Sequence, residues 1–413
     1  MNLKINHSQQ KFIFLLLIVT LYTVVVVQSD FLLGIKVKDE PHFWETSLLF
    51  SKRLIPTIDS LRDYKELNTP LPFMIFGALE YFFGRGVFAG RLLNLILSII
   101  IVLIIGYPSR DKGGKAILCL IGLFACPYFL KSSVSLVTDT IAYFFVLLGF
   151  MAYVRDRHIF SSIAFILAIA SRQYMLAFPV AIATYEFIVA FTKNKNRRGF
   201  DFSAHWRWIA PSIAAISILG WFYLFGGLAP STGIQEMAPE IQKTTWFINP
   251  NRAIYFLAFV SIFMVIPEFI LFQPLAKIKS LKQQPWRKIL LIAVCWLLYC
   301  IIFPPPTDSD GMFSIVVKFL HYEILKIALF YALSLLACIR FSQPNLLFFC
   351  ILFNCIIMMK AHYWSKYVLP LSVVFWYLKS LGLEDRWNIL HSSDEEKPNK
   401  IANVERANSI SGM

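Results

Sequence analysis

Charge is scarce in this chain. Asp, Glu, Lys and Arg make up 15% of its residues, against about a quarter in soluble domains, while 57% of residues are hydrophobic and the mean hydropathy is +0.62. That shortage excludes a soluble globular domain. The long apolar runs also lack the strict alternation of barrel strands, which leaves helices of roughly 20 residues as the means of crossing a bilayer. The expected class is all-α and polytopic.

Ordered cysteine chemistry is missing too. Cys119, Cys126, Cys295, Cys300, Cys338, Cys350 and Cys355 all fall within apolar runs and form no CxxC pair, so neither a zinc site nor a disulfide framework is expected. The first run, Phe12 to Leu33, is followed by no small-x-small cleavage site. Its apolar core exceeds the roughly 7–15 residues of a secretory signal, and it reads as a retained first helix. No internal repeat is visible. Acid is scarcer than base, 25 residues against 39, for a net charge of +14. On a soluble chain such a surplus would suggest nucleic acid; on this one its distribution reports topology, and no nucleic-acid partner is expected.

What is present is a series of apolar segments. After the first come runs near 71–83, 88–107, 116–130, 136–154, 159–170, 173–191, 208–225, 253–272, 289–303, 323–339, 346–359 and 367–383. The short run 71–83 carries Glu80 and follows Thr69-Pro70-Leu71-Pro72. If it lies along the surface, the alternate loops 108–115, 155–158, 193–207 and 277–288, together with Arg340, gather sixteen basic residues against three Asp. Residues 34–87, on the other side, balance seven basic against seven acidic. Short cytoplasmic loops are rich in Lys and Arg, so 71–83 is expected to be a juxtamembrane or re-entrant helix. About twelve spans remain, in one multi-pass domain over 1–383 with an outer loop at 34–87. Residues 384–413 form a polar cytoplasmic tail whose composition suits disorder.

This topology collects the notable polar residues on the non-cytoplasmic face. Asp39 and Glu40 follow the first run. As adjacent loop residues they point in different directions, so at most one faces a substrate, where it would serve as a general base; the alternative is a pair of solvated loop residues. Thr138-Asp139 opens a spanning run, either as a helix cap or as a functional acid close to hydrocarbon. Arg172-Gln173 interrupts the apolar stretch 159–191. Its guanidinium would either pair with Asp139 or grip a phosphate with its forked donors. Lys366 and Lys360 would do the same as point charges, or snorkel. Together these groups suit displacement of a lipid phosphate from a sugar, which needs a base, a cation or two and a greasy groove. Metal dependence is open, since Asp39, Glu40 and Asp139 would hold a divalent cation only if they converged; no other cofactor is expected. A transporter or lipid flippase is the alternative class, although such proteins commonly carry repeated halves and charges at mid-depth.

These residues resemble the GT-C glycosyltransferases, which take polyprenyl-phosphate sugars as donors. The shared layout is Asp39-Glu40 in the first outer loop, the Thr69-Pro70-Leu71-Pro72 lead-in, and Gly84-Arg85-Gly86 running on to Gly90-Arg91-Leu92. Within that superfamily the chain is most similar to the dolichyl-phosphate-glucose α-1,2-glucosyltransferases. The likeness rests on Asp39-Glu40 followed by His42, on Thr138-Asp139-Thr140 before Phe144-Phe145-Val146-Leu147-Leu148, and on Ser171-Arg172-Gln173. It covers about the first half of the chain. The late His362-Tyr363 resembles the family's His-Tyr segment without its preceding acid.

The resemblance implies inverting transfer of a hexose, glucose in the family's manner, from a polyprenyl phosphate to a lipid-linked glycan or other outer-face acceptor. It implies Asp39 as base with Glu40 in support, and His42, Asp139, Arg172, Gln173 and Lys366 as substrate-binding residues. The membrane would be a bacterial inner membrane or the endoplasmic reticulum.

Overall fold

The computed structural model describes residues 7–29, 31–32, 39–108, 114–194, 202–238, 243, 248–272, 286–305, 320–361 and 364–384. Among these residues there is helix and no strand. The basic stretches around Lys195–Arg198 and Lys277–Lys282, the His362-Tyr363 pair and the tail from 385 lie outside the described residues.

The chain opens with α1 (His7–Gln28), then α2 (Glu40–Ser51), α3 (Ile58–Arg62) and α4 (Leu71–Phe83). Helix α5 (Val87–Gly106) runs to the bent pair α6 (Lys115–Phe124) and α7 (Pro127–Ser133), followed by α8 (Asp139–Val154) and α9 (His158–Ser171). A 3-10 turn leads into α10 (Ala177–Asn194), and then come α11 (Phe202–Ile216), α12 (Ile218–Phe225) and α13 (Ser231–Met237). A π turn joins α14 (Asn251–Val260) to α15 (Ile266–Leu271). The remaining helices are α16 (Trp286–Ile302), α17 (Glu323–Arg340), α18 (Leu346–Met358) and α19 (Leu369–Ser380).

Among the described residues, five helical stretches are long and apolar enough to cross a membrane: Ser8–Gln28, Val87–Gly106, Gln173–Thr192, His205–Phe225 and Asn251–Leu271. They mark the chain as a membrane protein. Other apolar runs form helices too short to pass that test, among them α4, α8, α9 and α18. A helix of 13 residues, such as α4, covers roughly 20 Å of the about 30 Å of hydrocarbon. The run near 116–130 bends by 81° between α6 and α7. There Cys126 adopts extended backbone before Pro127, as the residue preceding a proline prefers. Arg172, also extended, ends α9 and divides the apolar stretch 159–191.

The innermost element is α19, in which all twelve residues are buried. It packs against α5, α6 and α8, and the Trp376 ring fills the space beside Gly122, where a Cβ would come within 2.4 Å of it. At its far end Lys379 donates to Glu268 at 2.7 Å and to Glu384 at 2.6 Å, while Arg340 makes a two-pronged contact with Glu268 at 2.8 and 2.9 Å.

A second apolar cluster unites α2 and α4, which run side by side in the same direction. Phe43 meets Phe73 at a centroid distance of 5.9 Å, and further along a Cβ on Gly77 would come within 2.7 Å of the Ser47 carbonyl and 2.8 Å of the Phe50 backbone. Because those neighbours are main chain, they cannot turn aside. Gly77→Ala is expected to part the two helices and to lower stability by about 1–3 kcal/mol, the usual cost of overpacking, despite the better helix propensity of alanine. Thermal unfolding in detergent checks this, and an unchanged or raised midpoint would contradict it.

Candidate functional site

Helix α2 starts with Glu40-Pro41, proline being well suited to a first turn where its missing N–H costs nothing. Glu40 turns inward and is wholly buried. Its carboxylate accepts from Arg91 Nε at 2.9 Å and Nη2 at 2.6 Å, and from the backbone N–H of Leu136 at 2.7 Å. Arg91 Nη1 donates to the Phe31 carbonyl at 2.9 Å. One turn along α5, Asn94 Nδ2 donates to the carbonyls of Ser135 and Val137 at 2.7 and 2.9 Å. These bonds hold the connection between α7 and α8 against the starts of α2 and α5.

Asp39, one residue earlier, points the other way. Its carboxylate stands 3.4 Å from Lys366 Nζ, and both side chains line a cavity of about 100 Å³ together with Lys131, Asp139 and Tyr174. Tyr128, Ser132, Ser135 and Val137 from the α7 region and Leu369 and Pro370 from the start of α19 complete the wall. Lys366 also lies over the Trp364 ring, 3.9 Å from its centroid.

Asp139 is the first residue of α8. One of its oxygens accepts from Arg172 Nη2 at 2.8 Å and the other from the Tyr174 hydroxyl at 3.0 Å. Of the two readings for Thr138-Asp139, capping by Thr138 is not seen: its hydroxyl makes no cap bond and is buried without a partner. Arg172 Nη1 donates to the Asn68 side chain, and Gln173 Nε2 donates to the Leu67 carbonyl at 2.6 Å. Thr69 hydroxyl donates to the Ile169 carbonyl at 2.7 Å. Residues 67–69 are thereby pinned to the break between α9 and α10.

Of the residues singled out from sequence, Asp39, Asp139 and Lys366 line one cavity, and Arg172 sits directly behind Asp139. Glu40 and His42 are placed differently. Glu40 is spent on Arg91 and Leu136, and His42 is exposed on α2; neither lines the cavity. Gln173 holds the 67–69 segment. Asp39, Glu40 and Asp139 do not converge, and among the described residues no three His, Cys, Asp or Glu side chains do.

The structure adds Glu66, Asn68 and Tyr174. Glu66 is 5% exposed, on the segment between α3 and α4. Burial pushes its carboxyl up to about 7; the nearby Arg172 and Lys366 cations oppose that rise and Asp39 adds to it. Its local sequence, Tyr64-Lys65-Glu66-Leu67-Asn68, reads as an ordinary solvated loop and carries no sign of the burial.

No family model, curated protein or solved structure matches the chain. The fold and the cavity define a helical membrane protein with a charged pocket lined by two acids, Asp39 and Asp139, and two cations, Lys131 and Lys366.

Two outcomes follow for stability. Glu40→Ala removes the carboxylate that offsets the buried Arg91 charge and is expected to cost about 3–5 kcal/mol, seen as a large fall in the unfolding midpoint. The Glu66 carboxyl, at about 7 in the fold against an ordinary 4.5, favours the fold while protonated, below about pH 4.5; that contribution is lost as pH rises through 7. The full swing is about 3 kcal/mol. Glu66→Gln should therefore flatten the decline of stability between those two pH values. If the slope is unchanged, Glu66 is not the titrating group.

Proposed function

We propose that the chain is a multi-pass membrane glycosyltransferase, with about twelve spans, that moves a hexose from a polyprenyl-phosphate sugar to a hydroxyl of a lipid-linked glycan or similar acceptor at the non-cytoplasmic face. The observation that carries this reading is the placement of Asp39, an acid free of helix capping, beside Lys366 in a cavity backed by the Asp139–Arg172 pair.

In this reading Asp39 is the base. It takes the proton of the acceptor hydroxyl as that oxygen bonds to the anomeric carbon, and the carbon–oxygen bond to the phosphate breaks, its electron pair leaving with the phosphate. Inversion follows from attack opposite the leaving group. Lys366 is the cation for the departing charge, with Lys131 at the rim of the same cavity. Electrostatic stabilisation in sites that exclude water is worth several kcal/mol. The 3.4 Å contact between Lys366 and Asp39 cannot persist with a donor bound between them, so phosphate would draw Lys366 away and free the carboxylate for the hydroxyl. Arg172, committed to Asp139 and Asn68, acts by holding Asp139 in place. A phosphate leaving group requires no acid on its side.

The test is transfer from polyprenyl-phosphate [14C]glucose to a lipid-linked oligosaccharide acceptor by the purified protein in detergent, where catalysis persists and transport cannot register. Asp39→Asn should keep the unfolding midpoint and lose about 10²–10⁴-fold in rate, the usual worth of a general base. Full activity in that variant would remove the proposed base, and absence of transfer by the wild-type protein from any polyprenyl-phosphate hexose would remove the reading.

A further inference from the structure

Trp364 stands at the entry to the 3-10 turn Ser365–Val368 that precedes α19, and it is exposed although Ser365 and Val368 beside it are buried. An exposed indole near the end of an apolar run ordinarily shows its ring to lipid in the headgroup zone. Two contacts set this one apart. The Lys366 ammonium lies over the ring, 3.9 Å from its centroid, and the same nitrogen is 3.4 Å from the Asp39 carboxylate. One ammonium group therefore has the indole on one flank and the proposed base on another.

The ring is also braced from the cavity. Trp364 stacks on Tyr367 with centroids 6.3 Å apart and an interplanar angle of 25°, Tyr367 meets Tyr174 edge to face at 5.2 Å, and the Tyr174 hydroxyl donates to Asp139 at 3.0 Å. Three aromatic rings thus lead from the acid at the start of α8 out to an indole near Asp39. An aromatic face suits a cation or apolar surface. Of the reactants, the donor phosphate is matched to Lys366. What matches the indole is a pyranose, whose C–H face is apolar while its hydroxyls project at the rim, so that a sugar lying on Trp364 brings an edge within reach of Asp39.

We infer that the Trp364 face is the platform for the acceptor sugar, and that Lys366 covers it until the donor phosphate arrives. This deepens the glycosyl-transfer reading and rests on it, making the acceptor a pyranose rather than a lipid or peptide hydroxyl and fixing an order of binding. With no phosphate in the cavity, Lys366 occupies both the ring and the carboxylate. Phosphate is a stronger partner for an ammonium than an aromatic face is. It draws Lys366 off both at once, and the acceptor gains its platform and its base in the same step. An acceptor that arrives first must displace the lysine itself. By linkage, donor phosphate tightens acceptor binding, and the acceptor tightens phosphate binding by the same factor.

The experiment uses the purified full chain in detergent. In initial rates with polyprenyl-phosphate [14C]glucose and a lipid-linked oligosaccharide, Trp364→Leu should raise the acceptor KM about tenfold, the loss of one good stacking contact, and leave the donor KM unchanged. Trp364→Phe, which keeps a ring, should recover most of that loss. With Trp364 36% exposed, both variants should keep the unfolding midpoint. Binding is read separately from chemistry, with a dansyl-labelled lipid-linked oligosaccharide and a polyprenyl phosphate that carries no sugar. The labelled acceptor should bind wild type several-fold more tightly when polyprenyl phosphate is saturating, and should bind Lys366→Ala at the tighter level without it. An acceptor KM unmoved by Trp364→Leu in an enzyme that transfers glucose overturns the platform and leaves glycosyl transfer standing; an equal rise in the donor KM, the mark of general damage, does the same. Acceptor affinity indifferent to polyprenyl phosphate overturns the covering role of Lys366. Absence of transfer by wild type removes the glycosyl-transfer reading, and the platform with it.

Discussion

The arrangement of the cavity depends on one buried ion pair, Glu40 with Arg91. Two charges removed from water are costly unless geometry and further hydrogen bonds satisfy them, and here both conditions hold. Glu40 accepts from two guanidinium nitrogens and from the Leu136 amide, and Arg91 spends its remaining arm on the Phe31 carbonyl. The pair thereby ties together the start of α2, the first turns of α5 and the connection into α8. Because Glu40 must face this knot, its neighbour Asp39 must face away from it, towards Lys366. The direction of the acid in the cavity is a by-product of packing one residue further on.

The second constraint is the chain break at Arg172. Extended backbone there stops α9 and turns the guanidinium towards Asp139 and Asn68. Gln173 and Thr69 bind the same two segments to each other. A polar residue within apolar sequence thus does two jobs: it ends α9, and it supplies the counter-charge that lets an acid occupy the start of the preceding helix, α8.

The residues readable from sequence were those out of keeping with their surroundings. Asp139, Arg172 and Lys366 stand beside or between hydrophobic runs, where a charge has few structural reasons to be, and Asp39 follows a run of the same kind. Glu66 and Asn68 have polar neighbours, so nothing local distinguishes them; their burial comes from α13, whose Gly233 lies against the Glu66 backbone, and from the helix break at Arg172, both distant in sequence. Glu40 and His42 show the reverse difficulty, since closeness in sequence to an acid in the cavity says nothing about which way a side chain points. The helical class was evident from composition. The number of long helices was not, because hydropathy registers apolar residues and passes over the places where helices stop. Extended backbone at Cys126 and Arg172 divides what read as continuous or nearly continuous runs.

The helix that comes latest among the described elements is also the most deeply enclosed. Helix α19 carries Trp376 into the gap beside Gly122 and ends on the Lys379–Glu268 contact, so α5, α6 and α8 have no complete inner surface until it arrives. During synthesis those helices stand without that inner surface, and Glu268 meets Arg340, 72 residues on, before it meets Lys379, 111 residues further along the chain. The bundle therefore closes last at its centre, and Lys366 reaches Asp39 only as this final piece is seated.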